Sequence, residues 1–342
     1  MTRTVISAWS AVSPYGAENA DFAAGVRSGT RPPVVPDPMP ACPITGYDPF
    51  AELGPRSSAM DRITALSVVT TGRLLGRRAG VDPGTALVLG TNNGSVESVV
   101  GFTGVSLRKR RPYLVDPMRF PNTVMNCAAA QSAIWHQLRG PNATIAAGRA
   151  SGLLALRYAT RLHRSGRAEV IACGAVEELS TTRSWMEHHA APDGHDRAPL
   201  GEGCAMVLLE PAGRPAHHGR AELAEVLSLA FAVAEPDHAQ AALARCVRRV
   251  LDHAGESPGN VLAVATSGGE EEAAVTDVLG TGTPVRLCAS ELIGDTSAAS
   301  AAFALTAVLA LAPEAPGGRL ALITAVDRDG ALGCALLRLG GG

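Results

Sequence analysis

Short apolar runs alternate along the chain with longer amphipathic stretches. The runs include TALVLG from Thr85, AEVIACGAV from Ala168, GCAMVLL from Gly203, NVLAVA from Asn260, RLALITAV from Arg319 and GCALLRL from Gly333. Runs of this length bounded by Gly and Pro predict strands buried on both faces. Between them LLALRYATRLHRSG from Leu153 and AAFALTAVLALAP from Ala301 predict helices. Such alternation implies mostly parallel sheets covered by helices, an α/β architecture. The stretch SVESVVGFTGVSL from Ser95 places Val99, Phe102 and Ser106 at helical spacing on one face.

The pattern occurs twice. AGVDPGTALVLGTNNG from Ala79 matches AGESPGNVLAVATSGG from Ala254 at a constant offset (254 − 79 = 175), sharing Pro83/Pro258, Gly84/Gly259, Leu87/Leu262, Thr91/Thr266 and Gly94/Gly269. A second pair, GCAMVLL and GCALLRL, follows in the same order at a shorter offset, so the first half carries extra sequence. We therefore expect two duplicated halves, residues 1–212 and 213–342, with an insertion at about 95–140 in the first.

Composition narrows the classes of function. Hydrophobic residues are 46% and charged residues 18%, enough apolar material for a large core. A formal net charge of −2 gives no argument for nucleic acid. The most apolar segment, from Ser297, is short for a bilayer span and reads as a core helix, so no membrane role is expected. Seven scattered cysteines without a CxxC pair suggest reduced thiols and a cytoplasmic protein. The doublets His188–His189 and His217–His218 read as solvated loops, and neither a metal site nor a cofactor signature is visible. The run RKRR at Arg108 to Arg111 could receive an acidic carrier protein, though short basic runs are usually solvated surface. TSGGEEE lacks the Lys of a phosphate-binding loop.

The stretch NATIAAGRASGLLALRY, Asn142 to Tyr158, predicts a strand, a sharp corner and a helix. Corners of this kind expose one side chain at a helix start and commonly mount a nucleophile. Here the corner residue is Arg149, which is neither a nucleophile nor a favourable guest beside the positive end of a helix dipole.

The layout resembles the thiolase-like fold of the β-ketoacyl synthases, two duplicated halves in an α-β-α-β-α layered sandwich. FPNTVMNCAAAQSAIWHQLRGPNATIAAGRASG resembles the segment that crosses the dimer interface and leads into the nucleophile corner. AEVIACGAVEELS is similar to the following strand, PLGEGCAMVLLEP to the hairpin closing the first half, and SELIGDTSAASAAFALTAVLAL to the Lys-Ser-x-x-Gly-His loop and helix. The resemblance implies a Cys nucleophile, two His and a Lys. The matching positions hold Arg149 for Cys, Thr266 or Ser267 for the first His, Ser290 for Lys and Asp295 for the second His. Arg has no accessible deprotonated state, and an ionised Asp donates no hydrogen bond to an oxyanion. The gating Gly-Phe-Gly-Gly is replaced by Asp327-Arg328-Asp329-Gly330.

Among relatives this pattern resembles the chain length factor, the non-catalytic ketosynthase-like subunit of a type II polyketide synthase. Arg149 departs from the Gln usual there, and the chain is trimmed around Arg183 to Leu200 and after Gly269, which suggests a divergent branch. The resemblance implies a heterodimer with an active ketosynthase and an acyl carrier protein as second partner. It also implies a tunnel lined by Val99, Phe102, Ser106 and Met125, and an interface holding Phe120, Asn122, Asn126, Ala129 and Gln131. Arg149 and Asp295 would face each other, which makes an ion pair, bidentate if geometry allows, the expected plug of the pocket. Glu177, Asp327, backbone carbonyls or solvent are alternative destinations for the guanidinium. Two other functions stand beside this one: a repurposed acyltransferase or decarboxylase, with Cys173 or Cys204 as nucleophile, and a homodimeric pseudoenzyme scaffold.

Overall fold

The computed structural model describes residues 3–36, 39–76, 82–190, 198–217, 219–282, 285–311 and 318–340. Its main sheet uses ten strands: β1 (Thr4–Val12), β3 (Ala86–Gly90), β4 (Asn142–Ile145), β5 (Ile171–Glu177), β7 (Gly203–Pro211), β8 (Ala224–Val233), β9 (Val261–Thr266), β10 (Val285–Cys288), β11 (Leu320–Val326) and β12 (Ala331–Leu339). A two-stranded parallel sheet pairs β2 (Ala41–Cys42) with β6 (Leu200–Gly201). The main order is β10-β9-β11-β12-β8-β1-β7-β5-β3-β4.

Cutting that order between β8 and β1 gives two five-stranded sets with the same connectivity. β3, β4 and β5 are parallel neighbours, as are β9, β10 and β11, and an antiparallel pair completes each set. The internal similarity of the sequence thus has a topological counterpart. Ala79 and Gly80 of the first copy lie outside the described residues.

Packing follows from the pattern of apolar positions. Every residue of β3 and β5 is buried, as strands covered on both faces require. The helix Ser300–Leu311 is apolar all round and buried from Ser300 to Ala310, because it runs between the two half-sheets. Beside it packs Ser151–Arg164, whose small Gly152 meets the backbone of Ala302. Outer faces are covered by amphipathic helices, Arg62–Leu75 and Cys127–Trp135 on the first half and Ala239–Ala254 and Glu272–Leu279 on the second. The result is five layers, helix on sheet on helix on sheet on helix. Among the described residues no helix is long and apolar enough to cross a membrane.

Local chemistry sets the helix starts. Asp61 caps Arg62–Leu75 by accepting from the Thr64 N–H at 2.9 Å, and Ser95 caps Val96–Arg108 through the Ser98 N–H at 3.2 Å. His188 and His189 correct the loop reading: they end the helix Thr181–Ala190, exposed, with the His189 ring stacked on Trp185. The His217 side chain, His218 and residues 191–197 of the trimmed loop lie outside the described residues.

Candidate functional site

The corner after β4 is built by small residues. Gly148 adopts φ 51°, and a Cβ there would collide with the Asp327 carboxylate. The turn Gly148–Ala150 then leads into Ser151–Arg164. Asp327 Oδ1 accepts the Arg149 backbone N–H at 2.9 Å, and its Oδ2 accepts from the Asp329 N–H at 3.0 Å. Asp327 therefore fixes the corner by bonding its backbone, while the Arg149 side chain goes elsewhere.

The guanidinium is clamped by two carboxylates. Its Nη2 donates to Asp295 Oδ2 at 2.6 Å, and its Nη1 donates to Glu270. The expected meeting of Arg149 with Asp295 is present. The bidentate form is not, because the two terminal nitrogens are divided between two acids. Asp295 also accepts the Ser297 N–H at 2.8 Å, and its carbonyl accepts from Arg183 Nη2 at 3.0 Å. Burial alone would raise the Asp295 pKa. The adjacent Arg149 charge and hydrogen bond, helped by Ser297, outweigh it and hold the acid at about 2. For Arg149 burial opposes the charge, and the Asp295 and Glu270 carboxylates reverse that effect, so its pKa is raised.

Glu270 is a partner that reading the sequence passed over. Its neighbour Glu271 is fully buried and accepts from the N–H groups of Ser267 (3.1 Å), Gly268 (3.2 Å) and Val326 (3.0 Å), and from the hydroxyls of Ser267 and Thr324. Burial pushes Glu271 up to about 7, against the pull of these donors. The signal was the GGEEE run itself: a loop tied inward by Glu271 must present Glu270 to the corner.

The other positions singled out by the resemblance make contacts of their own. Thr266 is buried, with Oγ1 donating to the Leu287 carbonyl at 3.4 Å. Ser267 donates its hydroxyl to Glu271, and Ser290 Oγ lies 3.3 Å from the Cys288 thiol. Glu177 is buried within its strand, where burial pushes it up to about 7 despite Arg183, and its Oε2 has no hydrogen-bond partner among the described residues. Arg328 pairs with Glu187. Cys173 and Cys204 are fully buried, and burial raises both thiols, Cys204 to about 12. Neither supplies a thiolate near neutral pH.

A broad apolar surface lies beside the corner. No residue of Val96–Arg108 is fully buried. Val99, Phe102 and Ser106 are half-buried along one face; the Phe102 ring packs on Phe120 at 5.9 Å, and Ser106 donates to the Pro112 carbonyl at 3.1 Å. Phe120 (57% exposed) and Ile134 (69%) stand out from the surface, with Met118, Val124 and Met125. Asn126 is exposed, Gln131 is half-buried, and Asn122 donates to the Ala59 carbonyl at 2.8 Å. Ala129 requires a correction: it is 1% exposed within the chain's own core, under Arg62–Leu75, so it is not free to meet a partner. The run Arg108 to Arg111 is exposed, with Arg111 Nη1 donating to the Tyr113 hydroxyl at 2.5 Å.

This arrangement is a condensing-enzyme scaffold with a charged clamp at the corner, and comparisons identify the family. Residues 44–214, half of the chain, match the family described as Beta-ketoacyl synthase, N-terminal domain, and the chain belongs to the β-ketoacyl synthase family. It is 28% identical over 200 residues to the 3-oxoacyl-[acyl-carrier-protein] synthase 2 of Rhizobium meliloti (strain 1021), covering 52% of this chain and 47% of that protein. The Tetracenomycin polyketide synthase ketoacyl synthase alpha subunit of Streptomyces glaucescens is 30% identical over 267 residues, 67% of this chain and 62% of that protein. The matched regions thus span about half to three fifths of these two curated relatives. A solved structure described as the ishigamide ketosynthase/chain length factor superposes with a TM-score of 0.91 at 41% identity, covering 99% of this chain and 100% of that one.

Proposed function

We propose that the chain is a chain length factor: the non-catalytic ketosynthase-like subunit of a type II polyketide synthase, cytoplasmic, paired with an active ketosynthase and served by an acyl carrier protein. The observation that carries the reading is the clamp at the corner. A ketosynthase needs a thiolate there and donors to a developing oxyanion opposite. Arg149 cannot become a nucleophile, and Asp295, held at about 2, is an acceptor throughout the physiological range.

Family membership and the 41% identity to a ketosynthase/chain length factor structure support the same reading. In it, the halves 1–212 and 213–342 keep the duplicated scaffold, and the insertion at about 95–140 faces the partner. Phe120, Asn122, Asn126 and Gln131 contribute to that contact. Strand β4, the outermost of the sheet, offers an edge for pairing across the axis, and its side chains are half-buried or exposed in the single chain. Val99, Phe102, Ser106 and Met125 then line the distal tunnel, with Phe102 limiting its length. An isologous ketosynthase dimer explains how one side can specialise while the matching surface is retained.

Co-expression with a ketosynthase and carrier protein, followed by mass spectrometry during turnover, tests the proposal. The expected acyl adduct is on the partner's cysteine, with none on this chain. An acyl adduct on this chain, or condensing activity from this chain alone, would refute the reading. The burial of Cys173 and Cys204 speaks against the repurposed-enzyme alternative.

A further inference from the structure

The seam between the half-sheets leaves a strand edge open. β1 and β8 pair antiparallel only at Val5/Glu225 and Ile6/Ala224, and in that register the rest of β8 runs past Thr4, where β1 begins, whereas β12 pairs with β8 along its length. Ala234 donates to the Gly330 carbonyl at 3.0 Å, which fixes the alternation of the antiparallel ladder. Ala232 and Ala230 therefore turn their backbone groups toward β12, and Leu229, Phe231 and Val233 turn theirs outward. Among the described residues, no backbone or side-chain hydrogen bond meets those outward groups.

This edge forms the floor of a groove of about 310 Å³ whose walls come from opposite faces of the half-sheet. Arg157, Arg161 and Arg164 of the inner helix form one wall, Arg249 and His253 of the outer helix form the other, and Leu227, Ser228 and Leu229 lie between them. No acid lines this groove. Arg245 and Arg248 extend the basic surface along the outer helix, where Asp252 is the adjacent acid. All six arginines are exposed, and none is ion-paired among the described residues. The Arg157 guanidinium lies over the Phe231 ring at 5.2 Å, which holds that wall beside the open edge. In a chain of net charge −2, this concentration of positive charge is a local feature.

We infer that the groove binds an extended, acidic peptide segment of a partner protein by strand addition to β8. The outward backbone groups of Leu229, Phe231 and Val233 would pair with it, and the arginine walls would select its carboxylates. The extended form is favoured over a helix or nucleic acid because the floor is an unpaired strand edge. A basic groove alone would suit any polyanion. The inference rests on this edge and its arginines and does not depend on the chain-length reading.

The test uses the full chain as it purifies, alone or with a co-expressed ketosynthase, and a fluorescein-labelled heptapeptide alternating Glu and Val. Fluorescence anisotropy should report saturable, salt-sensitive binding. Methylating alternate backbone nitrogens of the peptide preserves charge but removes the strand-pairing donors, and should weaken binding by about tenfold or more. Arg157→Glu with Arg161→Glu should do the same, as should Leu229→Pro, which removes an outward N–H without touching the β12 ladder. The arginine pair keeps the test decisive if Leu229→Pro fails to fold. Undiminished binding of the methylated peptide would overturn the strand-addition inference. So would tighter binding of a single-stranded oligonucleotide, or no binding at all, which would leave the arginines as guards against edge-to-edge aggregation.

Discussion

Replacing Arg149 by Met removes the cation from a site that was assembled around it. The guanidinium side chain is 24% exposed, Asp295 is 18% exposed and Glu270 is 48% exposed, so the loss falls mainly on Asp295. Its pKa lies at about 2 rather than 3.8, and a shift of about two units corresponds to about 2–3 kcal/mol of stability at neutral pH. Because the folded-state value is depressed, that contribution is present above about pH 4 and disappears as pH falls toward 2. The half-exposed Glu270 contact adds less than about 1 kcal/mol after solvent screening. Arg149→Met should therefore destabilise the protein by about 2–4 kcal/mol at pH 7 and by clearly less at pH 3. Urea denaturation would be compared for Arg149→Met, Asp295→Asn and the double variant, on the chain alone or co-purified with a ketosynthase. Arg149 and Asp295 should show a coupling of about 1–3 kcal/mol. Additivity within about 0.5 kcal/mol would refute the reasoning, because two groups that stabilise each other cannot be removed independently. Loss of condensation by the heterodimer with unchanged stability would also refute it, making Arg149 a functional group rather than a plug.

Other expectations follow from the same surfaces. Ile134→Asp or Phe120→Asp should abolish co-purification with a ketosynthase while leaving the melting of the isolated chain nearly unchanged; an intact heterodimer would remove this face from the interface. Ala129→Asp should instead unfold the chain, because it places a charge in the core beneath Arg62–Leu75, and circular dichroism separates the two effects. Phe102→Ala should lengthen the polyketide product, read by mass spectrometry of extracted chains; a fixed length with reduced stability would leave Phe102 as packing. Burial raises Glu177 from 4.5 to about 7, so its contribution is full below about pH 4.5 and is lost as pH rises through 7. Glu177→Gln should flatten that decline in urea titrations between pH 5 and 8, and an unchanged slope would contradict the assignment.

The elements that could be read in the sequence are those whose burial is set by their own periodicity. β3, β5, β9 and β11 are continuous apolar runs because both faces are covered, and the all-apolar helix from Ser300 is buried for the same reason. The Arg149–Asp295 contact was legible because two opposite charges stand at positions that the fold brings together, and an unpaired buried cation is costly. Glu270 was hidden because its role depends on how a loop closes. Glu271 must first be drawn inward by Ser267, Thr324 and Val326, from segments far apart in sequence, before the adjacent acid reaches Arg149.

Ala129 and β8 illustrate a different limit. A small apolar residue looks the same whether it packs on its own chain or on another, and only the position of Arg62–Leu75 assigns Ala129 to its own core. A strand pattern likewise reports which side chains are buried, but not which backbone edge has a neighbour. Whether β8 is paired on both sides is decided by its register with β1, which begins at Thr4 and so meets only the first residues of β8. That register is a property of how the two half-sheets meet, so it belongs to their junction and to neither half-sheet alone. Two half-sheets of the same connectivity meet with an offset, and that offset leaves the strand edge on which the proposed peptide binding rests.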